Sequence, residues 1–310
     1  MASTVSLSSQ VGKEPHLRRR NAKFFNKFKI VPYFFIGPAV IYLAIVTVIP
    51  ALMALPISFT DWTALSTKMN FVGLGNYKRL LTDTQFHESL IIMAKFFISV
   101  PLILAVGLVE AIFLNNKIKG MTIFRVIYYS PVITSTIAVA VLFDWFFQPS
   151  FGLFNAILNS IGIEGIGWVY DAKTAVMSIV IFRVWKNAGA AMLIYLAGLQ
   201  DVPIELIEAA DIDGASWWQK FRYITFPMLK PANVYLTITG IINVFMIFQE
   251  TYMFLEHTPL RSTTTVVNYV YEKGFTYSEM GYASSISFVL FVIILIVTLF
   301  QYRVMKADAN

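Results

Sequence analysis

Long stretches without charge constrain this chain more than any other feature of its sequence. No charged residue occurs in residues 30–60, a stretch longer than the roughly 20 apolar residues that cross a bilayer as a helix. Hydrophobic residues make up 57% of the 310 residues, charged residues 14%, and the mean hydropathy is +0.66. Soluble domains are about 25% charged. The chain is therefore predicted to be an integral membrane protein.

Length and composition predict six transmembrane helices in an all-α polytopic protein. Residues 30–60 form the first, after a basic leader at residues 1–29. The other five form a core at residues 89–303, with spans at 89–114, 126–143, 174–198, 231–249 and 280–302. The span at 174–198 is the weakest by hydropathy, because Arg183 and Lys186 lie well inside it.

Positively charged residues predict the orientation of the spans. Lys and Arg are concentrated in the leader, in residues 115–125 and 199–230, and after residue 302. These segments all lie on one side of a six-span bundle. Because cytoplasmic loops carry the excess of Lys and Arg, both termini are predicted to be cytoplasmic, in a multi-pass protein of the cytoplasmic (inner) membrane. The net charge of +6 is attributed to this orientation, and no nucleic-acid partner is predicted.

Several classes of reactive site have no counterpart in the sequence. There is no cysteine, and the histidines His16, His87 and His257 are far apart, so neither a thiolate site nor a histidine metal cluster is expected. No Gly-rich phosphate loop, nucleophile elbow or zincin motif occurs. The chain is therefore predicted to be no enzyme, with no catalytic residue and no metal ligand. Active transport would draw on an ion gradient or on a separate ATPase.

The predicted cytoplasmic segment 200–231 is the most informative part of the sequence. Acidic residues at its start favour a short helix, which Gly214 is suited to end. Ser216 is suited to begin a second helix, rich in aromatic residues, which Pro227 and Pro231 are predicted to end. Such a segment fits a docking surface for a soluble protein. The alternative is a loop that packs only on its own bundle.

The same segment resembles the EAA signature of binding-protein-dependent ABC importer permeases. The matching residues are Glu208, Ala209, Ala210, Gly214, Ile224 and Pro227, and Phe226 replaces the usual leucine. Residues 71–77, 196–200 and 281–284 resemble the carbohydrate branch of that family, with its sugar permeases of the maltose and glycerol-3-phosphate type. One departure is His257-Thr258-Pro259, where many relatives have Gly-Gly-Pro.

The resemblance implies a type I ABC importer permease fold and a set of partners. Such a permease pairs with a second homologous permease, and an ABC ATPase dimer binds its EAA loop. An extracytoplasmic solute-binding protein delivers the sugar. ATP and Mg²⁺ are bound by the ATPase, so no cofactor is expected in this chain. The implied ATPase-coupling residues are Glu208, Ala209, Ala210, Asp213, Gly214 and Pro227.

Polar side chains within the predicted spans form a second candidate site. An ionisable residue at membrane depth costs at least ~2.5 kcal/mol and is a functional candidate for that reason. The candidates for the substrate path are Thr136, Lys186, Asn187, Asn243 and Glu250. We expect Lys186 and Glu250 to pair and to exchange this pairing for substrate hydroxyls. The alternative is that Lys186 or Arg183 pairs with Glu250 only to stabilise the bundle.

The predicted function is that of a permease subunit of an ATP-driven ABC importer, which moves a sugar or oligosaccharide across the membrane. The alternative is an ion-coupled secondary transporter of a polar solute, in which Arg183, Lys186 and Glu250 would form the coupling relay. The EAA-type loop argues against it, because such a carrier has no need of a docking loop.

Overall fold

The computed structural model describes residues 33–66, 68–115 and 120–307, so the predicted leader lies outside the described residues. The described residues contain no β-strand beyond one isolated antiparallel bridge between Thr60 and Phe71, and the all-α prediction is confirmed. The chain divides into two units, Met1–Ala54 and Leu55–Asn310.

The helices follow one another through short connections. In chain order they are α1 (Tyr33–Ile57), α2 (Gly75–Thr82), α3 (Thr84–Leu114), α4 (Met121–Ile133), α5 (Thr136–Phe146), α6 (Leu153–Ser160), α7 (Ala175–Gln200), α8 (Ile204–Ile212), α9 (Trp217–Lys220), α10 (Lys230–Phe245), α11 (Gln249–Phe254), α12 (Val266–Tyr271) and α13 (Met280–Ala307). No residue of α1 is buried by the described part of the chain.

Among the described residues, α1, α3, α7 and α13 are long and apolar enough to cross a membrane, and α4 with α5 would form a fifth span. The weakest predicted span, at 174–198, is the continuous 26-residue helix α7. The predicted span at 126–143 differs from expectation, because α4 and α5 meet at 95°. The predicted span at 231–249 contains the 16-residue helix α10, which is shorter than the roughly 20 residues needed to cross.

The residues at the break between α4 and α5 are compatible with a helix interruption. Pro131 lies in the last turn of α4 and cannot donate a backbone hydrogen bond. Thr134 is extended (φ −74°, ψ 152°), and Ser135 accepts a hydrogen bond from the N–H of Ala138 as the N-cap of α5. A broken helix survives at membrane depth only where its freed backbone groups find partners.

Small residues let α7 lie at the centre of the second unit. A Cβ atom on Gly107 of α3 would lie 2.6 Å from the Cβ of Ala191. A Cβ atom on Gly189 would lie 2.2 Å from the carbonyl oxygen of Tyr128 in α4. Close backbone approach through small residues is typical of helices packed in membranes. Both α3 and α4 are therefore held directly against α7.

An aromatic cluster joins α5, α7 and α11 near the N-terminal end of α7. The ring centroids of Phe143 and Phe182 are 5.0 Å apart, and those of Phe182 and Phe254 are 5.9 Å apart. All three rings are buried. The cluster holds the short helix α11 against α7, which brings Glu250 close to the polar residues of α7.

Replacing Gly189 with alanine tests this packing. Alanine normally stabilises a helix interior by about 0.5–1 kcal/mol relative to glycine, but at residue 189 its methyl group would collide with backbone, an overpacking that costs about 1–3 kcal/mol. We expect Gly189→Ala to lower the thermal unfolding midpoint of the purified protein. Gly198→Ala on the same helix is the control, since its nearest contact is the flexible end of Leu229, at 2.9 Å. Equal midpoints for the two variants would contradict the packing.

Candidate functional site

Helix α8 ends in a hydrogen-bonded turn that requires glycine. Gly214 has φ +75°, and its N–H donates to the carbonyl of Asp211 at 3.1 Å. The N–H of Ala215 donates to the carbonyl of Ala210 at 2.9 Å. This pair of bonds is a Schellman motif, for which glycine is the usual residue. An added Cβ would meet nothing within 4 Å, so conformation and not space requires the glycine.

Helix α9 begins at Ser216 as predicted. The side chain of Ser216 accepts from the N–H of Gln219, whose side chain accepts from the N–H of Ser216 in return. The helical path continues through a wide turn at Phe221–Thr225 into Phe226–Met228 and ends there, between Pro227 and Pro231, the two prolines predicted to end it. The N–H of Phe226 donates to the carbonyl of Phe221, and this wider spacing lets the helical path pass a residue without an N–H.

The residues of the EAA-like signature lie on an exposed surface. Glu208, Ala209, Asp213, Gly214 and Pro227 are exposed, and Ala210 is half-buried. Among the described residues, the carboxylate of Glu208 has no ion-pair partner. Large apolar side chains are exposed beside them, with Ile212 at 88% and both Trp217 and Trp218 at 61%. This surface combines exposed aromatic and apolar side chains with the acidic side chains of Glu208 and Asp213, a composition compatible with protein docking.

The opposite face of the α8–α9 segment packs on its own bundle. A cavity of ≈ 370 Å³ lies between this segment and the ends of α3 and α7, lined by Ile112, Leu199, Ile207 and Phe221 among others. Lys220 and Asp211 form an ion pair at 2.5 Å that ties α9 to α8. The rings of Trp217 and Phe221 are stacked, with centroids 5.6 Å apart. The segment is thus held together by contacts of its own.

A polar cavity of ≈ 400 Å³ lies between α3, α7 and α10. It brings together three of the predicted path residues, Asn187, Asn243 and Glu250. Arg183 also lines it, and its Nη1 donates to Oε1 of Glu250 at 2.8 Å. Glu250 lies in the first turn of α11, directly after the chain leaves helical geometry between Phe245 and Gln249.

Lys186 does not line this cavity. Its Nζ donates to the carbonyl oxygens of Pro131, Val132 and Thr134 at 2.6, 3.3 and 2.8 Å, and the residue is 5% exposed. These carbonyls lie at the end of α4, where the helix leaves them without intrahelical donors. The expected Lys186–Glu250 pair is therefore absent from the described contacts of Glu250, whose partner is Arg183.

One predicted path residue lies outside the cavity, and three residues that were not predicted line it. Thr136 begins α5 and is half-buried outside the cavity. The sequence analysis missed Ser99 of α3 and Tyr235 and Thr239 of α10, which line the cavity. A signal was present, because Tyr235, Thr239 and Asn243 repeat every fourth residue and so share one face of a helix.

Polar side chains from α5 and from the loops near the N-terminal end of α7 form a cluster. The hydroxyl of Tyr170 donates to Oδ1 of Asp144 at 3.0 Å, and Nε2 of Gln148 donates to the Tyr170 oxygen. His257, part of the departure from the family pattern, places Nδ1 3.1 Å from the same carboxylate oxygen. Burial, together with the Asp144 carboxylate, raises the pKa of Tyr170 to about 12, so its hydroxyl remains a donor at neutral pH.

Comparison with known proteins identifies the family. Residues 103–307 match the binding-protein-dependent transport system inner membrane component family. The chain belongs to this family. The predicted family and the inner-membrane localisation are both confirmed. The match covers the α8–α9 segment and the cavity residues from Ile103 onward.

Curated relatives of this family extend over almost the whole chain. It is 34% identical to an arabinooligosaccharides transport system permease protein of Halalkalibacterium halodurans, covering 97% of this chain and 96% of that protein. It is 36% identical to the protein of the same name from Bacillus subtilis, covering 90% of each. It is 34% identical to a lactose transport system permease protein of Rhizobium radiobacter, covering 87% of this chain and 94% of that protein.

Solved structures share the fold of this family member. A bacterial ABC transporter involved in the import of the acidic polysaccharide alginate matches with a TM-score of 0.80 at 21% identity, over 93% of this chain and 100% of that one. A bacterial alginate ABC transporter in complex with an alginate pentasaccharide-bound periplasmic protein matches with a TM-score of 0.82 at 20% identity, over 94% and 99%. The predicted ABC importer permease fold is confirmed.

Substituting Lys186 tests its contacts with the end of α4. Lys186→Met keeps the apolar stem and removes the donor from buried carbonyls, a loss of about 1–3 kcal/mol for each group left unsatisfied. We expect a lower thermal unfolding midpoint and faster proteolysis between α4 and α5. Lys95→Met is the matched control, because Lys95 is exposed on α3. A midpoint unchanged in both variants would refute the role of Lys186.

Proposed function

We propose that this chain is the permease subunit of an ATP-driven importer of a sugar or oligosaccharide. Relatives named for arabinooligosaccharide and lactose transport, each at least 34% identical over at least 87% of the chain, support the class of substrate. The observation that carries the mechanism is structural. One helix, α7, both lines a polar cavity and leads directly into the exposed α8–α9 segment.

The α8–α9 segment couples an ATPase to the cavity in this proposal. It is placed between the C-terminal end of α7 and the start of α10, and both of these helices line the cavity. An ATPase subunit that binds α8 and rotates would therefore tilt α7 and α10 together. Glu208 would pair with a cation of the ATPase, with Ala209, Ala210 and Asp213 at the contact. Rigid-body rocking of this kind is a common route to alternating access.

The remaining partners follow from the same proposal. An ABC ATPase dimer binds ATP and Mg²⁺, and this chain carries no cofactor. A second homologous permease completes the path, which is consistent with the exposure of Tyr235 and Asn243 on the open side of the cavity. An extracytoplasmic solute-binding protein delivers the sugar. The ion-coupled carrier loses its support, because the proposed relay residues Arg183 and Lys186 are engaged in separate contacts.

Transport by the reconstituted complex tests the proposal. The chain, its second permease and its ATPase are placed in liposomes with the binding protein outside and ATP inside. We expect accumulation of a labelled neutral oligosaccharide that requires ATP and the binding protein. Uptake that needs a proton or sodium gradient and proceeds without ATP would refute the proposal and favour the ion-coupled carrier.

The proposed topology has six spans, with both termini and the α8–α9 segment in the cytoplasm. A reporter inserted after Ser216 should be cytoplasmic, and one inserted at Gly162 should be external, because the single span α7 separates them. Cysteine accessibility at the same two places in intact cells checks the result without a large fusion. Both positions on one side would remove α7 as a span and with it the six-span arrangement.

Substitutions in the α8–α9 segment test coupling. Gly214→Val forces a branched residue into a left-handed conformation, which costs about 1–2 kcal/mol and disturbs the end of α8. We expect the variant to insert and assemble its spans but to lose most uptake and to bind the ATPase weakly. Gly162→Val is the matched control, since Gly162 has φ +78° and equally open surroundings away from the segment.

Reversing the charge of Glu208 tests the same contact without backbone strain. Glu208→Lys should weaken co-purification of the ATPase and lower uptake, because an exposed anion at the docking surface becomes a cation. Glu164→Lys, at an exposed carboxylate outside the segment, serves as control. Wild-type ATPase binding and uptake in the Glu208→Lys variant would show that Glu208 does not take part in docking.

A further inference from the structure

The formal charges around the polar cavity cancel. Arg183 and Glu250 are the charged residues that line it, and Nη1 of the arginine lies 2.8 Å from Oε1 of the glutamate. Their side chains are 5% and 17% exposed. In such surroundings a charge pair is held firmly, since separating the two charges would leave both without a partner at low dielectric. The cavity wall therefore carries a fixed dipole and no net charge.

Lys186 does not line the cavity. Its ammonium group faces the end of α4, where three carbonyl oxygens lie within 3.3 Å of Nζ. One turn earlier on the same helix, Arg183 faces the cavity and is neutralised there. Consequently, neither of the two cations within α7 is available to a ligand as an unpaired positive charge.

The rest of the polar lining consists of neutral hydrogen-bonding groups. These are the side chains of Ser99, Asn187, Tyr235, Thr239 and Asn243. Amides and hydroxyls both donate and accept, so they suit a ligand whose own polar groups are hydroxyls. Apolar residues such as Ile103, Ile194 and Met246 complete the wall. Alternating hydroxyl and C–H surfaces are what a neutral saccharide presents.

We infer that this chain's part of the path accepts uncharged saccharides and rejects sugars with carboxylate or phosphate groups, and that Glu250 is the residue that determines this selectivity. The inference rests on the proposed function. An anionic sugar would have to approach Glu250 or displace it from Arg183, and either arrangement places like charges together in a poorly solvated site. A neutral sugar leaves the ion pair intact.

The structural neighbours do not decide this property. Those transporters import an acidic polysaccharide, but they are only 20–21% identical to this chain, so they share its fold and nothing more can be carried over. The charge of the substrate is decided by a few side chains within the cavity. In this chain those side chains sum to zero.

A binding measurement without the solute-binding protein tests the inference, because that protein has a selectivity of its own. The purified complex of this chain, its second permease and the ATPase is titrated in detergent, and its thermal midpoint is followed. The neutral probes are arabinotetraose, maltotetraose and methyl-esterified tetragalacturonate. The acidic probe is tetragalacturonate, which differs from its ester only in charge. We expect at least one neutral probe to raise the thermal midpoint at a concentration at least tenfold lower than the tetragalacturonate concentration that gives the same rise.

Two variants change the charge at the cavity in different ways, so a folding defect in one of them does not decide the test. Glu250→Gln leaves Arg183 uncompensated, and Asn243→Lys adds a cation while the ion pair stays intact. Each should lower the half-stabilising concentration of tetragalacturonate at least tenfold, and added salt should weaken this gain. Glu256 is an exposed carboxylate outside the cavity lining. Glu256→Gln should leave the half-stabilising concentrations of the neutral probes and of tetragalacturonate unchanged.

The outcomes separate this inference from the proposed function. Equal or tighter binding of tetragalacturonate by the wild-type complex would overturn the inference and leave a sugar importer standing. So would unchanged probe preference in both Glu250→Gln and Asn243→Lys. If no saccharide of either kind stabilises the complex or enters the liposomes, the proposed function fails, and the inference with it.

Discussion

Polar groups taken out of water must find partners, and two cations on one helix meet much of that requirement here. Arg183 and Lys186 are one turn apart on α7, and each contacts a place where a neighbouring helix is interrupted. Lys186 binds the carbonyls that α4 exposes at its end, and Arg183 binds Glu250 at the start of α11. Without these contacts the two interruptions would lose their hydrogen-bond and ion-pair partners on α7, and groups removed from water without partners are costly. The interrupted helices are therefore tied to α7, which itself stays continuous.

The two cations of α7 therefore have different positions relative to the cavity. Lys186 faces away from the cavity and stabilises the bent region, whereas Arg183 reaches Glu250 at the cavity wall. A charged residue at membrane depth is commonly taken as a ligand for substrate. In this chain, one of the two is occupied by backbone oxygens and the other by a carboxylate. In the proposed function, the neutral polar residues that line the cavity are the ones that contact the solute.

Much of the fold could be predicted from composition, and the interruptions could not. The apolar stretches that became α1, α3 and α13 are unambiguous, because each contains a strongly apolar window of 18 residues with at most two charged residues. Gly214 and Ser216 were predicted correctly since helix ends depend on local backbone chemistry. The 95° bend after α4 and the end of α10 at Phe245 depend on partners far along the chain, such as Lys186 for Pro131. Local sequence cannot specify those partners. The stripe of Tyr235 and Thr239 was missed because, although its spacing is visible in the sequence, the helices that form a cavity with it are not.

The ion pair of α7 also has a consequence for synthesis on the ribosome. Glu250 lies 67 residues after Arg183, so α7 enters the bilayer before its counter-ion exists. An arginine within an apolar span raises the cost of insertion by about 2.5–3.5 kcal/mol. Helix α1 has no such difficulty, since its residues need no partner from the described chain. Release of α7 from the translocon is thus expected to wait for the segment that carries Glu250.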